Sequence, residues 1–342
     1  MDQEYTQRLG KIEEELERWL PKNPDSAWAE KVFTHVGKDA SAESLRSLLN
    51  PLRELVFRGG KRWRPLLMTL ICESFGGADA AIPLTPIVEF SHNASLIHDD
   101  IEDESDERRG KPAIHKLYGV DTAINSASFF YFLASCCISS YENSYESSFE
   151  NKNKDLIYKY WMECMRRLHL GQAMDINWHR NVSIVPSIEE YYLMCKMKTG
   201  SLARLSTEVG AIAANAPIND IELLGNTADT MGVGFQILDD VKNLTTGNPG
   251  KKRGDDIVEG KKSLPVLLYM HRYPENRERI FYYFHAAKQE GTRAPEVEEL
   301  IETLNKSGVV QEAEEKGKQL LNEAKSVIGS NELLQNFIKL IS

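Results

Sequence analysis

Residues 95–112 read SLIHDDIEDESDERRGKP. On a helix, Asp99 and Asp103 are four residues apart and point the same way. Two carboxylates on one face make a poor Ca²⁺ cage. They suit Mg²⁺, which takes one or two protein carboxylates, keeps several waters and fills its remaining positions with phosphate oxygens. Arg108 and Arg109 follow directly, and guanidinium groups fork onto phosphate oxygens bidentately. Short acidic patterns also arise by chance at solvated helix ends, so the stretch gains weight only from a partner elsewhere. Residues 234–243, GFQILDDVKN, are that partner. Asp239, Asp240 and Asn243 repeat the i, i+1, i+4 layout, and Gln236 lies one turn before Asp239. Two helices of one bundle, each offering aspartates at one level, would clamp Mg²⁺ ions on a single diphosphate.

The rest of the chain supports a helical frame for these motifs. Helical periodicity dominates and strand-like alternation is scarce. Amphipathic helices are expected over residues 4–20 and 26–36, then one capped by Ser41. Residues 58–65, RGGKRWRP, form a glycine turn leading into a helix. A long helix over 84–104 carries the first aspartates, and a charged loop fills 105–119. Residues 121–138 are apolar all round, which predicts a buried helix. The Ser/Asn/Glu-rich run 139–155 reads as an exposed loop. Three long helices are expected over 156–180, 187–214 and 218–245, with a basic glycine-rich loop over 245–254. Shorter helices follow, the last with Leu333, Leu334, Phe337, Ile338 and Ile341 on one face. The expectation is one all-α domain: an N-terminal arm (1–40), a core (41–270) and C-terminal helices (271–342).

Composition narrows the function. With 342 residues, 42% hydrophobic and 27% charged, the chain can bury a large core and is neither disordered nor a membrane bundle. A net charge of −10 argues against nucleic acid as a partner. A negative protein that binds a negative substrate must concentrate positive charge locally or recruit cations. The five cysteines show no metal-ligand spacing and read as core thiols of a reducing compartment. The N-terminus lacks the apolar core of a signal peptide, and the apolar run near FFYFLASCCI reads as too short to cross a bilayer. A cytoplasmic protein without a transmembrane segment is expected.

Lys61 and Arg64 follow the Gly59-Gly60 turn, whose backbone N–H groups can approach an anion. GGK here is not a nucleotide P-loop, because no Ser or Thr follows the lysine. GVGFQI lacks the third glycine of a dinucleotide loop and sits inside a helical pattern. Lys198-Thr199-Gly200, Lys252 and Lys261 are further phosphate candidates. His92 shares a helix face with Asp99, while His169, Gln172 and Asp175 line one side of their helix.

With these motifs placed, the chain resembles the trans-isoprenyl diphosphate synthases from about Phe57 to about Tyr269, through GGKRWRP, EFSHNASLIHDDIEDESDERRGKPAIH, GQAMD, KTGSL and GFQILDDVKN…KKRGDDIVEGKKSLP. INSASFFYFL and RLHLGQAMDINW look most like the geranylgeranyl diphosphate synthases. The resemblance implies an all-α bundle that forms a homodimer. It implies Mg²⁺, three ions per site, on Asp99, Asp103 and Asp239, with Asp100, Asp240 and Asp256 close by. Arg108, Lys198, Gln236, Lys252 and Lys261 would hold an allylic diphosphate. Lys61, Arg64, His92 and Arg109 would hold isopentenyl diphosphate. Thr199 and Gln236 would offer oxygen dipoles to a carbocation. Two departures stand out: the second motif ends in Asn243, not Asp, and carries Lys242 at a position that is usually apolar in the family.

The implied reaction ionises the allylic diphosphate, adds isopentenyl diphosphate and loses a proton, in a dry core. The small Ala94 and Ser95, one turn before Asp99, disfavour a fifteen-carbon stop. Tyr131, Phe132 and His169 match the tube floor of geranylgeranyl synthases, which implies a twenty-carbon product. The competing readings are a longer-chain synthase, a catalytically silent partner subunit and a class I terpene cyclase. A second, isopentenyl, site around GGKRWRP and His92 argues against the cyclase.

Overall fold

The computed structural model describes residues 3–141, 150–247 and 252–328. Its helices run α1 (Gln3–Trp19), α2 (Ser26–Phe33), α3 (Ala42–Val56), α4 (Trp63–Ser74) and α5 (Thr85–Glu102). A two-residue hairpin follows, β1 (Glu107–Arg108) and β2 (Lys111–Pro112), then α6 (Ile114–Tyr118), α7 (Val120–Ser139) and α8 (Glu150–Arg180). The second half holds α9 (Ile188–Cys195), α10 (Ser201–Ala213), α11 (Ile218–Thr245), α12 (Asp255–Val258), α13 (Leu264–Arg272), α14 (Arg277–Glu290), α15 (Pro295–Lys306) and α16 (Val309–Ile328). The chain is all-α, as its periodicity implied. Its internal contacts group it into two compact units: Met1–Glu163 with Leu205–Leu224, and Cys164–Arg204 with Gly225–Ser342.

Local chemistry sets the helix ends. Ser41 caps α3 by accepting from the Ser44 N–H at 3.0 Å. Ser187 and Glu190 close a capping box on α9. Within the first unit α5 buries Ile87, Val88, Phe90, Ala94 and Ile97. Phe90 stacks on Phe130 of α7 with centroids 4.4 Å apart. Burying such side chains stabilises by about 1.5–3 kcal/mol each, which fixes the face α5 turns outward. Arg62 pins the turn before α4: its guanidinium donates to Glu13 at 2.7 Å, to Glu89 at 2.6 Å and to the Val56 carbonyl at 2.6 Å. Within the second unit Val233, Ile237, Val241 and Leu244 of α11 join a core with Tyr191, Leu267, Phe284 and Leu300.

Several expectations need correction. The 187–214 helix is interrupted: a π-helical turn, Lys196–Gly200, separates α9 from α10. Helix α8 begins at Glu150, earlier than expected, and residues 142–149 of the expected 139–155 loop lie outside the described residues. The hairpin in 105–119 was not anticipated; Arg109 and Gly110 at its turn both take left-handed backbone (φ 54 and 71), the geometry a two-residue hairpin demands. Helix α7 is not buried all round, since Ile124 and Phe132 are 44% and 68% exposed. Among the described residues α7 is also the one helix long and apolar enough, by length and composition, to cross a membrane, and 44% of that window is buried. The expected amphipathic face at Leu333–Ile341 lies outside the described residues.

Candidate active site

The first unit gathers the first motif and the cations that follow it. Asp99 and Asp103 are half-buried at the C-terminal end of α5, whereas Asp100 is fully buried. The hairpin returns Arg108 onto this helix end. Its Nε donates to Asp100 Oδ1 at 2.8 Å, and its Nη2 reaches the same oxygen and Asp99 Oδ2. Burial pushes the Asp100 carboxyl up, against the pull of Arg108. The middle aspartate is thus the anchor of the hairpin, while Asp99 and Asp103 are only half-buried.

A second cluster lies on α4, α5 and the hairpin. Arg64 donates from Nη1 to His92 Nε2 at 3.3 Å and covers the Trp63 ring at 4.3 Å. Arg109 donates to the Leu55 carbonyl at 3.1 Å. Burial, and then the charges of Arg64, Arg109, Arg108 and Arg62, hold His92 well below the usual histidine range. His92 is therefore neutral, and the field that neutralises it is the field an anion seeks. Lys61, in the turn before α4, is exposed. A chain of net charge −10 thus concentrates positive charge locally, as a bound anion requires.

The second unit holds the second motif. Asp239 is half-buried, while Asp240 is buried and Asn243 fully so. Asp240 accepts from Tyr191 Oη at 2.7 Å, from Gln236 Nε2 at 2.9 Å and from the Leu264 N–H at 3.3 Å. Burial, with Asp256 adding to it, pushes Asp240 up to about 7. Asn243 accepts from the Gly254 and Asp256 N–H groups, through its backbone and side-chain oxygens respectively. Its place at the end of the motif is therefore a loop anchor, which explains why Asn serves there as well as Asp. Thr199 donates to Gln236 Oε1 at 2.6 Å, and Lys198 to Asp175 Oδ2 at 2.7 Å. Burial would raise Asp175, but Lys198 and Lys261 overcome it and hold the carboxylate below its ordinary range. Arg253 forks onto Glu298, Lys261 pairs with Glu259 at 2.5 Å, and Lys252 is exposed.

Of the product-length positions, Ala94 is buried and Ser95 donates to the His92 carbonyl at 2.8 Å. Tyr131 stacks parallel to His98, with ring centroids 5.8 Å apart. Phe132 and His169 are exposed in the single chain. Sequence reading missed Tyr191, Arg62 and Asp229. The last is buried between Arg167 (2.6 Å) and Arg204 (2.9 Å). No local pattern marks these residues, because their partners lie 25 to 62 positions away in sequence or on another helix.

Hard carboxylate oxygens suit Mg²⁺, and each unit offers them half-buried: Asp99 and Asp103 at the end of α5 in the first, Asp239 on α11 in the second. Among the described residues no three or more His, Cys, Asp or Glu form a ready cage. An ion that keeps its waters and shares substrate oxygens needs none.

An all-α fold with paired aspartate motifs and concentrated cations defines a prenyl-diphosphate-handling class. The polyprenyl synthetase family model matches residues 46–304, and the chain belongs to that family of prenyltransferases. It is 34% identical over 282 residues to a short chain isoprenyl diphosphate synthase of Methanocaldococcus jannaschii, covering 81% of this chain and 80% of that one. It is 35% identical over 231 residues to the geranylgeranyl pyrophosphate synthase of Eremothecium gossypii, covering 67% and 70%. Among solved structures, geranylgeranyl pyrophosphate synthetase from Pyrococcus horikoshii superposes with a TM-score of 0.78 at 26% identity, covering 99% and 98%. The chain's reaction is prenyl chain elongation.

Proposed function

We propose that the chain condenses isopentenyl diphosphate with an allylic diphosphate to give geranylgeranyl diphosphate. The observation that carries this reading is the cation cluster around neutral His92 in the same unit as the half-buried Asp99 and Asp103. It provides a second anion site, which a synthase needs and a cyclase does not. Asp99, Asp103 and Asp239 would hold Mg²⁺. Bound Mg²⁺ supplies positive charge to the leaving diphosphate.

The chain's own side chains do the rest. Arg108, Lys198, Lys252 and Lys261 neutralise the allylic diphosphate as its C–O bond breaks and the electron pair passes to it. Lys61, Arg64, His92 and Arg109 hold isopentenyl diphosphate so that its terminal alkene carbon bonds to the allylic C1. That bond takes the alkene pair and leaves the positive charge on C3 of the isopentenyl unit; a C2 proton then leaves to the departed diphosphate, and its C–H electron pair forms the new C2=C3 double bond. Thr199 and Gln236 turn oxygen dipoles toward the cation, and the apolar helix faces exclude water. The exposed stripe Val120, Ile124 and Phe132 on α7 supports a homodimer that covers it. All five cysteines are free thiols, in keeping with a reducing cytoplasm.

The exposure of Phe132 and His169 favours a second reading, a longer product, if no second copy closes the floor. The test is a product assay. The protein, first sized by sedimentation, is incubated with Mg²⁺, isopentenyl diphosphate and separately dimethylallyl, geranyl or farnesyl diphosphate. Mass spectrometry then sizes the dephosphorylated alcohols. Geranylgeraniol from a dimer is the expected outcome. Longer alcohols would move the floor deeper, and no extension from any primer would return the silent-subunit reading.

A further inference from the structure

The π turn Lys196–Gly200 presents Lys198 and Thr199, and the two flanking helices of the same unit approach it by one shared pattern. On α8, a methyl group at Gly171 would stand 2.3 Å from the Lys198 backbone nitrogen and 2.8 Å from the Met197 carbonyl carbon. Four residues later on α8, Asp175 takes the Lys198 ammonium at 2.7 Å. On α11, a methyl group at Gly232 would stand 2.4 Å from the Gly200 Cα and 2.8 Å from its nitrogen. Four residues later on α11, Gln236 takes the Thr199 hydroxyl at 2.6 Å. Residues four apart share a helix face. Each helix therefore brings its backbone against the turn at a glycine and delivers its polar acceptor one turn further on. No other residue type lacks the Cβ that would push these backbones apart.

The turn itself needs such support. A π turn widens the helix and leaves its backbone hydrogen bonding irregular, and such turns concentrate at functional sites. Here the Ser201 hydroxyl donates to the Met197 carbonyl at 2.7 Å, and Asp229, bridging Arg167 and Arg204, lies against Gly200.

We propose that Gly171 and Gly232 are positioning residues, a two-sided backbone clamp that sets where the π turn holds Lys198 and Thr199 against the allylic diphosphate. The first glycine of GVGFQI, Gly232, which no dinucleotide loop explains, has this role. The inference rests on the synthase reading for the identity of the ligand.

The test compares Gly171→Ala and Gly232→Ala with Gly234→Ala. Gly234 lies on α11 but packs on α16, where a methyl group would meet the Gly317 carbonyl oxygen at 2.9 Å. Kd is measured by calorimetry for farnesyl thiolodiphosphate with Mg²⁺, a probe that does not ionise readily, alongside steady-state KM values and Tm. Displacing the turn by part of an ångström should weaken the farnesyl probe and raise the allylic KM about tenfold and cut kcat about 10–100-fold. The isopentenyl KM should stay within about twofold. Gly234→Ala should lower Tm and leave both KM values alone. If both clamp variants fail to fold, Gly200→Ala carries the test, because its methyl would meet Asp229 at only 3.2–3.4 Å. An unchanged farnesyl-probe Kd in folded Gly232→Ala or Gly200→Ala overturns the clamp, as does an equal loss in both KM values. Wild-type protein that binds the probe but extends no primer overturns the synthase reading and leaves the clamp to be judged by Kd. Wild-type protein that does not bind the probe overturns both.

Discussion

In the first aspartate motif the middle carboxylate, Asp100, is buried against the guanidinium of Arg108. In the second, Asp240 is buried against a phenol, an amide and a backbone N–H, with Asp256 near enough to repel it. The same letters therefore rest on different electrostatics. Burial pushes both carboxyls up, but at Asp100 the guanidinium of Arg108 opposes the rise, whereas Asp240, met by neutral donors and repelled by Asp256, is pushed up to about 7. The motifs also end differently, with Asp103 half-buried and Asn243 sealed as a loop anchor. The first motif leaves two carboxylates half-buried and the second leaves one.

The largest effects should follow that count. Removing Asp239 deletes the one half-buried carboxylate of its motif, so Asp239→Ala should cut kcat/KM about 10³-fold, and Asp99→Ala or Asp103→Ala about 10²-fold each. Asn243→Asp should bring no gain, since the side chain stays buried in the loop. Steady-state kinetics over a range of Mg²⁺ concentrations reads all four variants. A loss in Asp103→Ala equal to that in Asp239→Ala would erase the asymmetry.

Stability should report on the middle carboxylates. Arg108→Met leaves Asp100 buried without its cation, at a cost of about 3–5 kcal/mol. Tyr191→Phe removes one of three neutral donors from Asp240 and should cost about 1–2 kcal/mol. Urea unfolding in the presence of a chelator, with m unchanged, measures both. Equal shifts in midpoint would mean that the nature of the partner does not matter.

The shared spacing of Asp99 and Asp103 and the helical fold were legible because they rest on short-range periodicity. Helix periodicity puts Asp99 and Asp103 on one side whatever else the chain does. The role of each middle aspartate was not legible. Asp100 needs a hairpin in left-handed backbone to return Arg108, and Asp240 needs Tyr191 from another helix. The π turn was hidden for the same reason: residues 187–214 read as one continuous helix, and only packing against Gly171 and Gly232 distinguishes the interrupted form. Likewise, α7 looks apolar on every side by composition, yet only one side of it is packed.

The smallest effect extends the contrast from carboxylates to cations. Arg62 of the first unit is buried among carboxylates, Glu13 and Glu89. Lys262 of the second unit is buried against two carbonyls, Trp178 at 3.2 Å and Gly260 at 3.3 Å, and over the Phe284 ring. Burial lowers Lys262 to about 8, and Asp175 only partly opposes it. Unfolding returns the amine to the ordinary range, so between the two values the unfolded chain binds more protons than the folded one. Stability from this group therefore rises with pH, beginning as pH passes about 8. From about pH 7.5 to about pH 9 the gain of wild type over Lys262→Met should be about 1 kcal/mol. The variant loses the slope whatever its absolute stability, so lost packing or a lost donor cannot imitate the result. Parallel stability curves for the two proteins across that window would show that the carbonyls hold Lys262 as firmly charged as the carboxylates hold Arg62, and the contrast between the two regions would then apply to the aspartates alone.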